Sequence, residues 1–393
     1  MNAGSPSGRR RFLRTACCHC AAWGGLGLGL AHAQDAADAT IAPRLERPAI
    51  DTDEGGLWAM MDREERRLRR GPLVIRDEAL STYLRDLVCR LGGEHCTDVR
   101  VHVVRTAQFN ASMAPNGMMQ VWSGLLLRVD NEAQLAAVLG HELGHYLERH
   151  SVERMRDLKA KSSAAMVVSM FGLPGALVGL GIAASAMGFS RDQELRADRI
   201  GMQLLRRAGY DGREFPKVWE NLLAELKVTG GEDAGRRSVL FATHPPAADR
   251  RDALRAMAGE AGGRLGTEEL ERVLAPHRMD WLQEEIRRGQ YEESLALLSR
   301  KLARSDDPHY LYARGEVYRL RNRDDDLPPA LADLQRGSQL LKAPPELFRS
   351  LGLLHQRRED AAGAIGAFER YLAAAPEAGD AGLIKTYLKE LKP

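Results

Sequence analysis

His141-Glu142-Leu143-Gly144-His145 is an H-E-x-x-H motif and the most informative part of this chain. Residues four apart share one face of an α-helix, so both imidazoles can reach one metal ion. Glu142 is turned about 100° from His141 and lies beside that ion as a base. Apolar residues around the motif keep one helical face, as expected of a packed helix. We therefore predict one Zn²⁺ per chain, held by His141 and His145, with Glu142 as the catalytic residue.

A catalytic zinc site needs a third protein ligand and an open position for water. His150 is a poor candidate, because it lies one residue too early for the pattern H-E-x-x-H-x-x-G-x-x-H and Glu148 replaces the glycine. Glu194 and Asp198 are four residues apart on a second predicted helix, so they share a face. We predict Glu194 as the third ligand and Asp198 as the hydrogen-bond partner of a ligating histidine. The alternative is that Glu194 and Asp198 are an ordinary acidic pair on the surface, next to arginines.

His244 lies in a loop that two prolines stiffen, Thr243-His244-Pro245-Pro246. No helical or strand periodicity surrounds it, which disfavours a histidine of the core. Two functional roles stay open. The imidazole either donates a hydrogen bond to the oxyanion of the reaction, as Tyr146 also could, or it occupies the fourth position on zinc in a resting state. In the second role, removal of His244 raises activity.

Two β-strands are predicted before the metal-binding helix. Residues 99–104 alternate and are rich in valine, and the turn signal at 115–117 is followed by a second candidate strand. That strand consists of Met118, Met119, Gln120, Val121 and Trp122. We predict an α+β zincin-type metallopeptidase domain over residues 56–265, in which a small sheet packs on the H-E-x-x-H helix.

The last third of the chain carries a helical repeat pattern. The characteristic positions of one tetratricopeptide repeat are occupied by Phe348, Leu351, Gly352, Ala364, Phe368 and Pro376. Gly315 lies about one repeat earlier. We predict an all-α tetratricopeptide-like domain over residues 276–393 that docks a protein partner. A plain helical bundle is the alternative.

The N-terminus has the pattern of an export signal. A basic stretch from Arg9 precedes an apolar run and an A-x-A cleavage site that ends at Ala33. The order R-R-x-F-L-R is similar to the twin-arginine signal, although ordinary secretion fits as well. We predict a cleaved signal over residues 1–33, a flexible leader over residues 34–55 and a periplasmic location. An uncleaved membrane anchor is the alternative.

Residues 164–189 are nearly uncharged and long enough to span a bilayer. Pro174 and several glycines interrupt them, and the predicted metal ligands lie on both sides. We therefore favour a buried or membrane-touching helical hairpin over a true span.

The number of cysteines is consistent with an exported protein. Cys89 and Cys96 are the only cysteines after the predicted signal, and we expect a disulfide between them in an oxidising compartment. The alternative is that both cysteines are reduced and pack as small residues of the core.

The net charge of the chain is +2 and comes from 56 basic and 54 acidic residues. This balance gives no reason to expect a nucleic-acid partner.

Three motifs resemble, in this order, those of the HtpX/CAAX-prenyl-protease family of zinc endopeptidases. They are HELGH at 141–145, ELRAD at 194–198 and THPP at 243–246, and the resemblance covers roughly residues 75–260. It implies an endopeptidase whose polypeptide substrate joins an edge strand along the cleft. We expect this edge strand to be Met118–Trp122.

The same resemblance implies substrates among misfolded or misassembled envelope and outer-membrane proteins of the bacterial periplasm, with the repeats docking substrate or partner. Two alternatives stay open. One is a zinc-binding periplasmic chaperone or scaffold with little turnover, and the other is a membrane-embedded peptidase. The intact Glu142 argues against the scaffold, because a structural zinc site needs no base.

Overall fold

A computed structural model describes residues 41, 43–161, 188–231, 244, 248–260 and 262–392. The predicted export signal, nearly all of the apolar segment 164–189 and the immediate neighbours of His244 lie outside these described residues. The backbone over residues 43–52, in the predicted leader, has no regular helix or strand.

Within the described ranges, four short strands form one mixed sheet. They are β1 (Val74–Ile75), β2 (Arg100–Val104), β3 (Ala111–Met113) and β4 (Met118–Trp122), in the spatial order β1-β2-β4-β3. β2 and β4 are parallel, whereas β1 and β3 are antiparallel to their neighbours. The inner strands β2 and β4 correspond to the two strands predicted from alternation and turn signals.

The prediction that Met118–Trp122 is the free edge strand is wrong. β4 pairs with β2 on one side and with β3 on the other, and all five of its residues are buried. The edge strand next to it is β3, which has three residues and no β-branched side chain. Such a short segment has too weak a strand preference to be recognised from sequence.

The helices are numbered along the chain. Those of the first part are α1 (Asp53–Arg70), α2 (Glu78–Gly92), α3 (Ser123–Arg128), α4 (Glu132–Leu147), α5 (His150–Lys161), α6 (Arg191–Arg207), α7 (Glu214–Gly230) and α8 (Ala248–Met257). Those of the second part are α9 (Thr267–Leu274), α10 (Arg278–Arg287), α11 (Tyr291–Leu302), α12 (Pro308–Arg321), α13 (Leu327–Ser338), α14 (Pro345–Arg357), α15 (Ala361–Ala374) and α16 (Ala381–Leu391). Among the described residues, none of these helices combines the length and the apolar character needed to cross a membrane.

The H-E-x-x-H helix, α4, is buried along its whole length. Asn131 caps its N-terminus by accepting a hydrogen bond from the N–H of Gln134 at 2.9 Å. All 16 of its residues are buried, as expected of a helix surrounded by other elements. α6 crosses it closely because Gly144 has no side chain: a Cβ there would lie 2.8 Å from the carbonyl oxygen of Ala197. This close crossing brings the E-L-R-A-D face of α6 against the two histidines.

The second part consists of helical hairpins with tetratricopeptide packing. A Cβ on Gly315 of α12 would lie 2.7 Å from Leu334 of α13, and a Cβ on Gly352 of α14 would lie 2.5 Å from Phe368 of α15. In each hairpin the small residue therefore admits the large side chain of the partner helix. These elements confirm the predicted fold class, an α+β domain with a small sheet followed by helical repeats.

One hydrophobic core runs through both parts, and the described residues belong to one compact unit. Arg128, at the end of α3, donates through Nε to Glu225 of α7 at 2.7 Å and through Nη2 to Glu285 of α10 at 2.9 Å. The three side chains are at most 3% exposed. We call Arg128, Glu225 and Glu285 the junction cluster, because it joins the repeat helices to the end of the sheet.

Candidate metal centre

The two histidines of α4 face each other from successive turns. His141 Nε2 and His145 Nε2 are 3.1 Å apart, and both side chains are buried. Burial lowers the pKa of His145 well below its ordinary value, so this ring is neutral and keeps a nitrogen lone pair. Neutral imidazole nitrogens are ligands that Zn²⁺ prefers.

Glu194 approaches both histidines from the first turn of α6. Ser190 and Gln193 form a reciprocal capping box that fixes this turn. Glu194 Oε2 lies 3.6 Å from His141 Nε2, and Oε1 lies 3.4 Å from His145 Nε2. Burial alone would raise the pKa of Glu194, but the neighbouring histidines and an arginine hold it well below its ordinary value. The side chain is therefore an anion inside the protein.

His244 reaches the same point. Its Nδ1 is 2.9 Å from Glu194 Oε1 and 3.2 Å from His141 Nε2. One ligand atom from each of His141, His145, Glu194 and His244 lies within 4.8 Å of the other three. We call these four residues the His–Glu cluster. Three imidazoles and a carboxylate match the ligand types and the number of a tetrahedral zinc site.

Asp198 and Arg250 lie directly behind the ligands. Asp198 Oδ1 is 2.9 Å from His141 Nδ1, which favours the tautomer that turns the lone pair of Nε2 to the cluster. Arg250 of α8 donates to the same carboxylate at 2.8 and 2.9 Å, and its Nη1 is 2.5 Å from Glu194 Oε2. Burial alone would raise the pKa of Asp198, but the charge of Arg250 holds it below its ordinary value. No motif distinguishes Arg250 from the other arginines, so sequence reasoning missed it.

His150 and Phe189 contact His145. His150 Nδ1 is 2.9 Å from His145 Nδ1, the ring nitrogen that is turned away from the cluster. Phe189 stacks on the ring of His145 with 3.9 Å between centroids. His150 thus packs behind a ligand and does not fill the third-ligand position, in agreement with its spacing in the sequence. A single aromatic residue carries no pattern, so Phe189 was not predicted.

Glu142 lies beside the His–Glu cluster and next to the edge strand. Its Oε1 is 3.6 Å from His244 Nε2, and the backbone N–H of Met113 in β3 is directed at its carboxylate. Burial raises the pKa of Glu142 above its ordinary value. The ring of Trp219 packs edge to face with the ring of His141, with 5.9 Å between centroids. A buried carboxylate with a raised pKa is suited to accept and release a proton near neutral pH.

Tyr146 is placed differently from the other candidate residues. It lies one turn after Glu142 on α4, and its hydroxyl is buried without a hydrogen-bond partner among the described residues. Burial and the charge of Asp98 raise the pKa of Tyr146 to about 12. Its electrostatic neighbours are Asp98, Arg100 and Arg44, and none of them belongs to the His–Glu cluster.

An H-E-x-x-H helix under a short mixed sheet, joined by a glutamate from a later helix, is the arrangement of zinc metallopeptidases. Residues 75–258 match peptidase family M48, and residues 317–389 match a tetratricopeptide repeat. The chain therefore carries a domain of peptidase family M48 followed by tetratricopeptide repeats. The family resemblance and the helical repeats predicted from the sequence are both confirmed.

Curated relatives agree with this assignment. The chain is 29% identical over 204 residues to the beta-barrel assembly-enhancing protease of Escherichia coli K12, covering 47% of this chain and 40% of that protein. It is 34% identical over 145 residues to the mitochondrial metalloendopeptidase OMA1 of Arabidopsis thaliana, covering 37% of this chain and 28% of that protein. It is 30% identical over 165 residues to the metalloprotease YcaL of Escherichia coli K12, covering 40% and 62%. The chain thus spans less than two thirds of each relative's length.

Proposed function

We propose that the chain is a zinc-dependent endopeptidase in which His141, His145 and Glu194 hold one Zn²⁺ and Glu142 is the general base. The observation that carries this proposal is the convergence of the ligand atoms of the His–Glu cluster within 4.8 Å, beside the buried Glu142. A structural zinc site has no use for such a carboxylate.

The residues around the metal divide the work of peptide hydrolysis. When bound, Zn²⁺ would supply the Lewis acidity that polarises the scissile carbonyl and acidifies the attacking water. Glu142 accepts a proton from that water and passes it to the nitrogen of the leaving amine. Asp198 keeps His141 in its ligating tautomer, and Arg250 stabilises the carboxylates of Asp198 and Glu194 in their buried setting.

We propose that the polypeptide substrate pairs with β3. The hydrogen bonds from β3 to β4 flank Ala111 and Met113, so the backbone groups of these two residues point away from β4. An extended peptide can add to such an edge as a further strand. Because the N–H of Met113 is directed at Glu142, this strand would carry its scissile bond past the base.

The position of His244 supports a resting-state role. Its Nδ1 contacts both Glu194 and His141, where a fourth protein ligand to zinc would lie. Four protein ligands leave no position for a reacting water, as in structural zinc sites. We therefore propose that His244 leaves the metal before cleavage. Donation to the oxyanion is the second reading of this residue.

We further propose export to the bacterial periplasm and substrates among misfolded or misassembled envelope and outer-membrane proteins. The export pattern of residues 1–33 supports this location, and the Cys89–Cys96 disulfide suits an oxidising compartment. The name of the Escherichia coli relative refers to β-barrel assembly. In this proposal residues 56–265 cleave, residues 276–393 dock a protein, and the apolar segment 164–189 touches the membrane surface.

The test compares Glu142→Gln and Glu194→Ala with the wild-type mature chain. We expect wild type to bind one Zn²⁺ and to cleave denatured casein. Glu142→Gln should keep the metal and lose at least about 10²-fold in cleavage rate, because the ligands remain and the base is gone. Glu194→Ala should lose both the metal and cleavage, because it removes the one anionic ligand and also the carboxylate that contacts His244 Nδ1 at 2.9 Å. Full cleavage by Glu142→Gln, or full zinc content in Glu194→Ala, contradicts the proposed site.

A further inference from the structure

The two histidines of the H-E-x-x-H motif have different partners on the ring nitrogens that face away from the His–Glu cluster. An imidazole that binds a metal through Nε2 carries its proton on Nδ1, and an acceptor for this proton fixes both the tautomer and the orientation of the ring. Asp198 lies at this position for His141. For His145, the hydrogen-bond partner of Nδ1 among the described residues is His150, at 2.9 Å. One ligand is thus backed by a carboxylate and the other by a second imidazole.

The turn between α4 and α5 brings His150 against His145. In a continuous α-helix, residues five apart differ by roughly 140° in direction and do not face each other. Here α4 ends at Leu147, and Arg149 has a left-handed conformation with φ of 55°, which residues other than glycine rarely adopt. The N–H of Arg149 donates to the carbonyl oxygen of Tyr146 at 3.0 Å, and α5 begins at the next residue. The left-handed residue therefore makes the contact between the two imidazoles possible.

Contacts with α6 hold the start of α5 in place. Glu153, in the first turn of α5, accepts hydrogen bonds from Gln193 at 3.0 Å and from Arg196 at 2.8 Å. These two residues flank Glu194, so the turn of α6 that carries the third proposed ligand also anchors the turn that carries His150. The His150 side chain is fully buried.

Only one distribution of protons lets this pair of imidazoles serve a metal. Two neutral rings whose Nδ1 atoms face each other share a single proton between these atoms. If His145 carries it, Nε2 of His145 keeps its lone pair and His150 is the acceptor. If His150 carries it, the proton of His145 lies on Nε2 and blocks ligation. A carboxylate oxygen of Glu148 lies 4.0 Å from His150 Nε2, which favours the first distribution because that nitrogen then carries the proton of His150.

We propose that His150 is a positioning residue for the metal centre: its Nδ1 accepts the Nδ1 proton of His145 and so keeps Nε2 of His145 free to bind the metal. This inference rests on the proposed function, because it takes His145 as a zinc ligand. It predicts that zinc affinity depends on an acceptor atom at this place and not on the volume of the His150 ring.

The experiment compares His150→Leu and His150→Asn in the mature chain by competition for zinc with a chelator. Leucine fills the space but accepts no hydrogen bond, so His150→Leu should bind Zn²⁺ about 10- to 100-fold more weakly than wild type. In asparagine Oδ1 is bonded to Cγ, as Nδ1 is in histidine, so His150→Asn restores the acceptor and should recover most of this loss. His95→Leu is the matched control and should bind zinc as wild type does. His95 is also a buried histidine, and neither of its ring nitrogens has a hydrogen-bond partner among the described residues.

Nuclear magnetic resonance of the zinc-loaded wild type, with nitrogen-15 in its histidines, detects the proton itself and needs no substitution in the core. We expect a scalar coupling across the hydrogen bond between a protonated Nδ1 and an unprotonated Nδ1 of a second histidine. In His150→Asn this coupling should vanish, while the proton on His145 Nδ1 remains.

The outcomes separate this inference from the proposed function. Equal zinc affinity in wild type and His150→Leu, or an equal loss in His150→Leu and His150→Asn, would overturn the role of His150 and leave the zinc peptidase standing. If His150→Leu does not fold, a weakly binding His150→Asn or a missing coupling in wild type would overturn that role. A wild-type chain that binds no zinc would overturn the proposed function itself, and this inference with it.

Discussion

The His–Glu cluster and the junction cluster are both buried groups of ionisable side chains, yet their contacts differ in kind. In the junction cluster the guanidinium of Arg128 stands between two carboxylates, at 2.7 and 2.9 Å. In the His–Glu cluster imidazole nitrogens face one another at 3.1 Å, and the nearby Arg250 is turned to the carboxylates behind them. The junction cluster is complete with its own residues, whereas we propose that a metal cation completes the His–Glu cluster.

This difference separates a structural role from a chemical one. Removing a charge from water costs several kcal/mol per ion unless the protein provides a partner. The junction cluster provides that partner permanently and joins two parts of the fold. The His–Glu cluster brings ligand atoms together in the interior, where we propose that a metal ion binds them. Substitutions in the two clusters should therefore affect different properties, stability in one and chemistry in the other.

Apart from the proposed base Glu142 and the proposed ligand Glu194, the largest effect expected from a single side chain is that of His244→Ala on cleavage. If His244 occupies a metal position at rest, its removal opens that position and raises casein cleavage at least about 10-fold, with cleavage of the chain itself. If it donates to the oxyanion, the same change lowers turnover about 10²-fold. Zinc content should stay near one per chain, because three ligands remain. His309→Ala, in the repeats, is the control, and an unchanged rate in His244→Ala rejects both roles.

Arg128→Met should lower the free energy of unfolding by about 3–5 kcal/mol. The substitution removes the cation of the junction cluster and leaves Glu225 buried without its partner. Urea unfolding of the zinc-loaded protein measures the effect. Arg255→Met is the matched control, because Arg255 pairs with Glu220 at the exposed surface, where a pair contributes about 0–1 kcal/mol. A loss below 1 kcal/mol in Arg128→Met would remove the distinction between the two clusters.

The convergence of His141, His145 and Glu194 could be predicted from sequence, because these residues fall in short contiguous motifs. A helix places residues four apart on one face, so H-E-x-x-H and E-L-R-A-D each supply a pair of side chains with a common direction. The junction cluster could not be predicted, since Arg128 and Glu285 are 157 residues apart and carry no motif. Arg250 was missed for the same reason. The edge strand was misplaced because β3 has three residues, too few for a period of two to show.

The Cys89–Cys96 disulfide should contribute about 2 kcal/mol, less than the junction cluster. It joins α2 to the segment that leads into β2 and closes a loop with a sequence separation of only 7, so it restricts the unfolded chain modestly. We expect Cys89→Ser/Cys96→Ser to lower the unfolding free energy by that amount and to leave cleavage intact. Reduction of wild type should give the same loss. Thiol labelling of unreduced mature protein at full stoichiometry would contradict the bond.

The smallest effect expected is a pH dependence beside the junction cluster, at the start of α4. Lys301 of α11 donates to the carbonyl oxygen of Val129 at 2.6 Å and lies 3.0 Å from Asp130 Oδ1. Burial lowers the pKa of Lys301 to about 8, and the charge of Asp130 offsets only part of this lowering. Arg300, which also contacts Asp130, lowers it further, whereas Glu271 acts in the opposite direction.

The sign of this pH effect follows from proton binding in the two states. Below about pH 8 Lys301 is charged in both the folded and the unfolded chain, but between about 8 and 10.4 the unfolded chain binds more protons. Stability from this group therefore rises with pH, by roughly 1–2 kcal/mol between pH 7.5 and 9.5. Urea unfolding at the two pH values should show this rise in wild type and in the exposed-lysine control Lys392→Met, and Lys301→Met should abolish it. The same slope in Lys301→Met would mean that Lys301, beside the N-terminus of α4, keeps its ordinary pKa in the folded protein. In that case the start of α4 would be held by packing and by Arg300 alone.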